Sequence, residues 1–128
     1  MKIPENLKYS TEHLWVKSDG EGHWLAGITD YAQDLLGDIV FVDAPKVGTQ
    51  LIAGTTCGLV ESVKTGSDLH APLDGTVTEI NETLTNYPEQ INEKPYETWI
   101  FKFQGNANDV DLSKLLDAAA YQQSINSD

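Results

Sequence analysis

Short runs of alternating apolar and polar residues recur along the chain and predict a mainly β protein. Residues 76–80 alternate between the two classes, as a half-buried strand does. Residues 14–16 and 24–26 flank a segment of turn formers at 18–22, and together they predict a hairpin. A buried strand is predicted at 39–42, because four apolar residues follow one another there. Further strands are predicted at residues 51–52, 58–63 and 99–103.

A short helix is predicted at residues 30–36. Asp30 forms a capping-box pair with the glutamine three residues later, and Gly37 supplies the stop signal. We expect both leucines of its last turn, Leu35 and Leu36, to face inward.

A second helix is predicted near residues 111–121, with Asp111 as its N-cap. Apolar residues recur there at the spacing of one helix face, which predicts docking onto the sheets. This stripe consists of Leu112, Leu115, Leu116 and Ala119. The segment between the last two predicted strands, residues 81–94, is polar and predicts a loop with a helical turn.

Length and charge limit the possible functions. At 128 residues the chain is expected to form a single domain, residues 1–128. Acidic residues outnumber basic ones by 20 to 8, and all of the basic residues are lysine. Since nucleic-acid binding depends on basic surfaces, and arginine in particular, this composition argues against a nucleic-acid partner.

Cysteine, histidine and apolar content exclude further classes. Cys57 is the only cysteine, so no internal disulfide forms. The three histidines, His13, His23 and His70, lack the spacing of a metal site, and no metal is expected. No apolar run reaches the roughly 18 residues of a membrane span, and the amino terminus lacks the pattern of a signal or transit peptide. We therefore expect a cytoplasmic protein without a membrane partner.

Residues 61–68 carry the candidate chemistry. They place Lys64 between two strand-like runs, at the predicted tip of a hairpin. Gly66 is expected to take a positive φ there, and Ser67 and Asp68 to bond their own backbone. A lysine on such a turn offers its amine for covalent attachment of an acyl group. An exposed lysine at a hairpin tip is more often a solvated charge, so the spacing alone leaves both interpretations open.

Motifs along most of the chain accompany this lysine. Before it come Leu7-Lys8-Tyr9-Ser10, His13, Trp15, Gly27-Ile28-Thr29-Asp30, Ala32-Gln33 and Leu36-Gly37-Asp38-Ile39-Val40-Phe41-Val42. Around and after it come Glu61-Ser62-Val63-Lys64, Ser67-Asp68, Ala71-Pro72, Gly75, Asn92, Pro95-Tyr96, Trp99-Ile100, residues 112–116 and Tyr121. From about residue 7 to residue 121, the chain resembles the H proteins of the glycine cleavage system, a family of lipoyl carriers.

The resemblance implies a lipoyl/biotinyl-type barrel-sandwich hybrid fold with its lipoyl hairpin at 61–68. It implies that Lys64 is the lipoyl acceptor. Glu61, Ser62, Val63, Gly66 and Asp68 would then form the surroundings that the modifying enzyme recognises.

The resemblance also implies a shuttle that is not itself an enzyme. Its lipoate would be attached by a lipoate ligase or a lipoyl/octanoyl transferase. The arm would accept the aminomethyl group of glycine from the pyridoxal-phosphate decarboxylase (P protein) and deliver it to the aminomethyltransferase (T protein). Dihydrolipoyl dehydrogenase (L protein) would then reoxidise the arm.

Three alternatives remain to be compared with this interpretation. Biotinyl carriers flank their lysine with methionine, whereas Val63 and Thr65 stand here. Lipoyl domains of 2-oxoacid dehydrogenases carry Asp-Lys-Ala at the tip and a flexible linker, and this chain has neither. The third alternative is an H-like paralogue that relays lipoate or only binds partners.

Departures from the family pattern lend that paralogue some support, while the glycine-cleavage role remains the preferred interpretation. His13-Leu14-Trp15 stands where the family has His-Glu-Trp, Tyr31 stands where histidine is common, and the segment from Pro95 to Trp99 is one residue short. Loss of the carboxylate at Leu14 would expose a cationic group carried on the arm.

Overall fold

The protein is described here by a computed structural model, for residues 1–105 and 112–126. It is mainly β, as predicted, and its strands form two antiparallel sheets that do not close into a barrel. The larger sheet has the order β1-β2-β3-β9-β8-β5. Its strands are Lys8–Tyr9 (β1), Leu14–Ser18 (β2), His23–Ile28 (β3), Gln50–Leu51 (β5), Gly75–Ile80 (β8) and Phe101–Gln104 (β9). The smaller sheet has the order β4-β6-β7, with strands Ile39–Asp43 (β4), Thr56–Ser62 (β6) and Gly66–His70 (β7).

One hydrophobic core holds the two sheets together. The inner residues of the smaller sheet, such as Ile39 and Val60, belong to the same buried cluster as Val77 and Phe103 of the larger one. Burying such apolar side chains is the main force that stabilises the sandwich.

The first helix, α1, spans Asp30–Leu36, as predicted. Its N-cap is Thr29, one residue before the predicted cap, and the Thr29 hydroxyl accepts a hydrogen bond from the Ala32 amide at 3.2 Å. Gly37 ends the helix with φ +82°, a conformation that glycine adopts without strain. Leu36 is buried, but the prediction that Leu35 faces inward is wrong, since its side chain is exposed.

The polar segment after β8 contains two helical turns rather than one. These are α2, Thr83–Asn86, and α3, Gln90–Glu93. Each contributes one buried apolar side chain to the core, Leu84 and Ile91.

The carboxy-terminal helix lies later than predicted. Helix α4 spans Ala118–Asn126, so a single helix over 111–121 is wrong; Asp111 lies outside the described residues. Leu116 exchanges two backbone hydrogen bonds with Tyr9, at 2.7 and 2.8 Å, and these groups are therefore unavailable for a helix. Asp117 instead caps the next turn by accepting from the Ala120 amide at 2.8 Å.

The predicted stripe leucines, Leu112, Leu115 and Leu116, do pack against the core, but they precede helix α4, which docks through other residues. Its buried residues are Tyr121 and Ile125. The Tyr121 ring stacks on Tyr9 with 4.7 Å between centroids, and its hydroxyl lies 2.7 Å from the Thr29 hydroxyl. The helix thereby closes over β1 and the start of α1.

Strand β4 is not buried along its whole length, contrary to the prediction for 39–42. Ile39 faces the core, whereas Val40 and Phe41 are exposed. A β-bulge between Ile39 and Phe41 inserts one extra residue into the strand, which breaks the alternation of faces. No helix among residues 1–105 and 112–126 is long and apolar enough to cross a membrane.

Candidate functional site

Lys64 lies in the turn that joins β6 to β7, and the Ser62 side chain holds this turn in place. The Ser62 hydroxyl accepts hydrogen bonds from the amides of Lys64 and Thr65, both at 3.1 Å. It also lies 3.1 Å from the Thr65 carbonyl, to which it donates. A fourth bond runs from the Ser62 amide to the same carbonyl at 2.8 Å. Because Ser62 is buried, it fixes the backbone under an exposed lysine.

The predicted turn mechanism is therefore wrong in its details. Gly66 is the first residue of β7 and is not among the residues with positive φ. Ser67 and Asp68 pair in the same strand with Val60 and Leu59 instead of forming the turn. The turn depends on a buried hydroxyl before the lysine rather than on a glycine after it.

The tip is also tied to the segment that follows α1. The Val63 amide donates to the Asp38 carbonyl at 3.0 Å. Asn92 of α3 then secures this segment: its oxygen accepts from the Ile39 amide, and its amide nitrogen lies 2.9 Å from the carbonyl of Gly37. The same nitrogen donates to Gln33 of α1 at 2.9 Å. The hairpin tip thus rests on a base made by α1, the segment that directly follows it, and α3.

The Lys64 side chain lies over Gly37. A Cβ atom at position 37 would come within 2.8 Å of the lysine Cε, so any other residue would displace the side chain. Lys64 is exposed and takes part in none of the ion pairs among the described residues. Its amine is therefore accessible to another protein.

The remaining predicted site residues lie on the same hairpin with different orientations. Glu61 and Val63 are exposed, and Glu61 pairs with Phe41 on one side and Gly66 on the other. Asp68 lies further along β7 and lines a neighbouring cleft. The structure thus brings Glu61, Ser62 and Val63 next to the lysine and places Asp68 at a distance along the strand.

This cleft of about 100 Å³ lies between β2, α1 and β7. Its floor is apolar and comprises Leu14, Ile28, Leu36, Val60 and Leu69. Two carboxylates, of Glu12 and Asp68, line it. Small-molecule pockets usually measure roughly 300–1,000 Å³, so this cleft suits the end of a chain rather than a whole ligand.

Leu14, the departure noted in the sequence, is a core residue of this cleft. Its side chain is 1% exposed and packs in the main cluster, which accounts for an apolar residue at this position. Glu12, two residues earlier, is only half-buried and supplies a carboxylate at the same cleft.

Sequence reasoning missed Glu12, the contact of Gly37 with Lys64, and the role of Asn92 under the tip. These residues are far from Lys64 in sequence, and the packing of β2, α1 and α3 against the hairpin brings them to it. Among the described residues, no group of histidine, cysteine and acidic side chains could hold a metal ion.

Comparison with known proteins gives a consistent picture. Residues 7–128 match the family model described as "Glycine cleavage H-protein". A curated glycine cleavage system H protein of Methylobacillus flagellatus is 73% identical over 104 residues, which cover 81% of this chain and 85% of that protein. One from a Marinomonas species is 53% identical over 96% of this chain and 97% of its own length. The crystal structure of a glycine cleavage system H protein from Mycobacterium marinum superposes with a TM-score of 0.87 at 36% identity, covering 97% of this chain and 99% of that one.

Proposed function

This chain belongs to the glycine cleavage H-protein family, and on that premise we propose that Lys64 is the residue that carries its lipoyl group. The protein is a lipoyl carrier that shuttles between the enzymes of the glycine cleavage system, and it is not itself a catalyst. The observation that carries the assignment to Lys64 is its exposed position on a turn fixed by the buried hydroxyl of Ser62.

The residues around Lys64 fit a covalently attached acyl chain. The lysine amine is exposed, and the residue beneath its side chain is a glycine, so no other side chain crowds the lysine there. When attached, lipoate supplies a strained disulfide that accepts a one-carbon amine group together with two electrons, chemistry that no amino-acid side chain provides.

Attachment uses the lysine as a nucleophile. The neutral amine attacks an activated acyl group, an amide bond forms, the bond to the leaving group breaks, and the amine proton is released. The chain contributes positioning: Ser62 holds the backbone amides of Lys64 and Thr65, so a partner enzyme meets the lysine in a defined orientation. Glu61, Val63 and Gly66 form the exposed surface on either side of it.

We further propose that the cleft beside β7 receives the end of the arm between transfers. Its apolar floor would exclude water, and the carboxylates of Glu12 and Asp68 would attract a positively charged end group. On this view Glu12 supplies the carboxylate that is absent at position 14. We expect Glu12→Gln with Asp68→Asn to release ammonia faster from the loaded protein than the wild type does, at unchanged stability.

The protein works with the enzymes of the glycine cleavage system. We propose that these are the P, T and L proteins, and that a lipoate ligase or a lipoyl/octanoyl transferase loads Lys64. Since its relatives are bacterial proteins, we propose that all of these encounters take place in the cytoplasm, with residues 1–128 acting as one domain.

The assignment of Lys64 is tested by replacing it. Lys64→Arg keeps the positive charge but removes the acylable amine, so we expect a folded protein that gains no lipoyl mass with lipoate ligase, lipoate and ATP. Lys46→Arg is the matched control, because Lys46 is also an exposed lysine next to a turn, and we expect full loading of that variant. Intact-mass and peptide mass spectrometry measure both. A lipoyl increment on Lys64→Arg would refute the assignment.

A further inference from the structure

Three large apolar side chains beside Lys64 are exposed without an evident role in the fold. Val40 and Phe41 of β4 are 51% and 50% exposed, and Val63 in the turn is 65% exposed. We call these three residues, with Glu61, the outer patch. Backbone pairing brings them together, because Phe41 lies opposite Glu61 and the Val63 amide bonds the Asp38 carbonyl at the start of β4.

The bulge in β4 creates this patch. Regular alternation would turn one of Val40 and Phe41 inward, but the extra residue leaves both on the outside. A soluble domain gains nothing from exposing adjacent apolar side chains, and grouped exposure of this kind marks interaction surfaces. The patch also lies on the opposite side of the hairpin strands from the inward-facing Val60, which lines the cleft.

Acidic side chains surround the patch. Asp38 and Asp43 lie at the two ends of β4, and Glu61 lies within the patch; all three are exposed. None of them forms a salt bridge among the described residues. A partner that covers the patch therefore needs an apolar centre with lysine or arginine at its edge.

We propose that the outer patch is the docking surface for the enzyme that acylates Lys64. This inference rests on the proposed role of Lys64 and adds the surface by which that lysine is presented. The acylating enzyme forms a bond to the lysine amine itself, so its active site must reach the base of the side chain, one residue from Val63. Enzymes that act at the far end of a loaded arm have no such need to touch the residues next to Lys64.

The test compares acylation kinetics of two variants with a matched control. Phe41→Gln removes an apolar ring on the neighbouring strand. Phe41 pairs with Glu61, which lies three residues before Lys64, so the lysine and its turn stay unchanged. We expect about a tenfold higher KM for the carrier in the lipoate ligase reaction, with kcat within twofold, since exposed aromatic anchors often dominate docking. Val63→Thr, which keeps the branched shape, should raise KM about threefold. Ile52→Thr, at a 63% exposed site outside the patch, should leave KM unchanged.

Three measurements decide the outcome. Mass spectrometry of wild-type protein first establishes loading on Lys64, so failure of the proposed function is seen separately from failure of the docking surface. An unchanged KM for both patch variants on a loadable carrier would overturn the docking proposal. Fully loaded Phe41→Gln is then assayed with glycine decarboxylase, where we expect a KM within twofold of wild type. A KM raised as much in the decarboxylase reaction as in acylation would show that the patch is not specific to the acylating enzyme. That result would also overturn the proposal.

Discussion

Replacing Ser62 tests how the turn presents Lys64 to the acylating enzyme. Ser62→Ala removes three hydrogen bonds: those from the amides of Lys64 and Thr65 and the one to the Thr65 carbonyl. Each such bond contributes roughly 0.5–1.5 kcal/mol net, and three fully buried bonds would give about 1.5–4.5 kcal/mol. Lys64 and Thr65 are exposed, so water replaces part of the loss. We therefore expect a loss of about 1–2 kcal/mol in the free energy of unfolding.

Two assays check this value. Urea denaturation should show a lower midpoint, with an unchanged dependence of the unfolding free energy on urea concentration. The melting temperature should fall by roughly 3–5 °C for each kcal/mol of stability lost in a domain of this length. Acylation of Lys64 should slow, because the lysine then moves with a looser turn. Ser67→Ala is the control: it makes the same chemical change on the same hairpin, at an exposed hydroxyl with no hydrogen bond recorded among the described residues. A loss below about 0.5 kcal/mol for Ser62→Ala, or an equal loss in the control, would refute the role given to this hydroxyl.

Three further predictions follow from other parts of the structure. Gly37→Ala and Gly20→Ala should each lower the free energy of unfolding by about 1–3 kcal/mol, because both glycines have positive φ. Only Gly37→Ala should slow acylation, since a side chain there displaces Lys64, and equal acylation rates would count against that contact. Burial raises the pKa of the Cys57 thiol to about 11, so iodoacetamide at pH 8 should modify it at least about tenfold more slowly in the folded protein than in urea. Burial, opposed by the hydrogen bond with the Thr29 hydroxyl, raises the pKa of Tyr121 to about 12, so the unfolded chain loses this proton first, near pH 10. The stability due to the neutral phenol is then complete below pH 10 and is lost between pH 10 and 12, and the melting temperature of Tyr121→Phe should fall less over that range than that of the wild type.

The sequence predicted those elements whose cause is local. Helix α1 was predicted with its correct bounds, although Thr29 rather than Asp30 is its N-cap, because the residues that start and stop it are its immediate neighbours in sequence. The carboxy-terminal helix was misplaced because the leucine spacing competes with a backbone pairing between Leu116 and Tyr9, which no local pattern reveals. The exposure of Val40 and Phe41 likewise depends on a bulge set by the partner strand.

The candidate site shows the same division. Lys64 and its neighbours Glu61, Ser62 and Val63 could be picked out from the sequence, because they follow one another in a recognisable motif. The residues that support the turn from beneath could not be identified from the sequence. Asn92 reaches the tip only through the packing of α3 against α1 and β4, and the three hydrogen bonds of its side chain become apparent only in the assembled structure.

The bond from the Val63 amide to the Asp38 carbonyl has a consequence for the timing of modification during biosynthesis. A nascent chain that has emerged only as far as the hairpin can pair β6 with β7, but Asn92 has not yet been synthesised and the base under the tip is incomplete. The base under the lysine is therefore complete only after the ribosome has passed α3. An enzyme that recognises the lysine on this base would acylate completed, folded carriers in preference to unfinished or misfolded chains. Lipoate would then not be attached to chains that are later degraded.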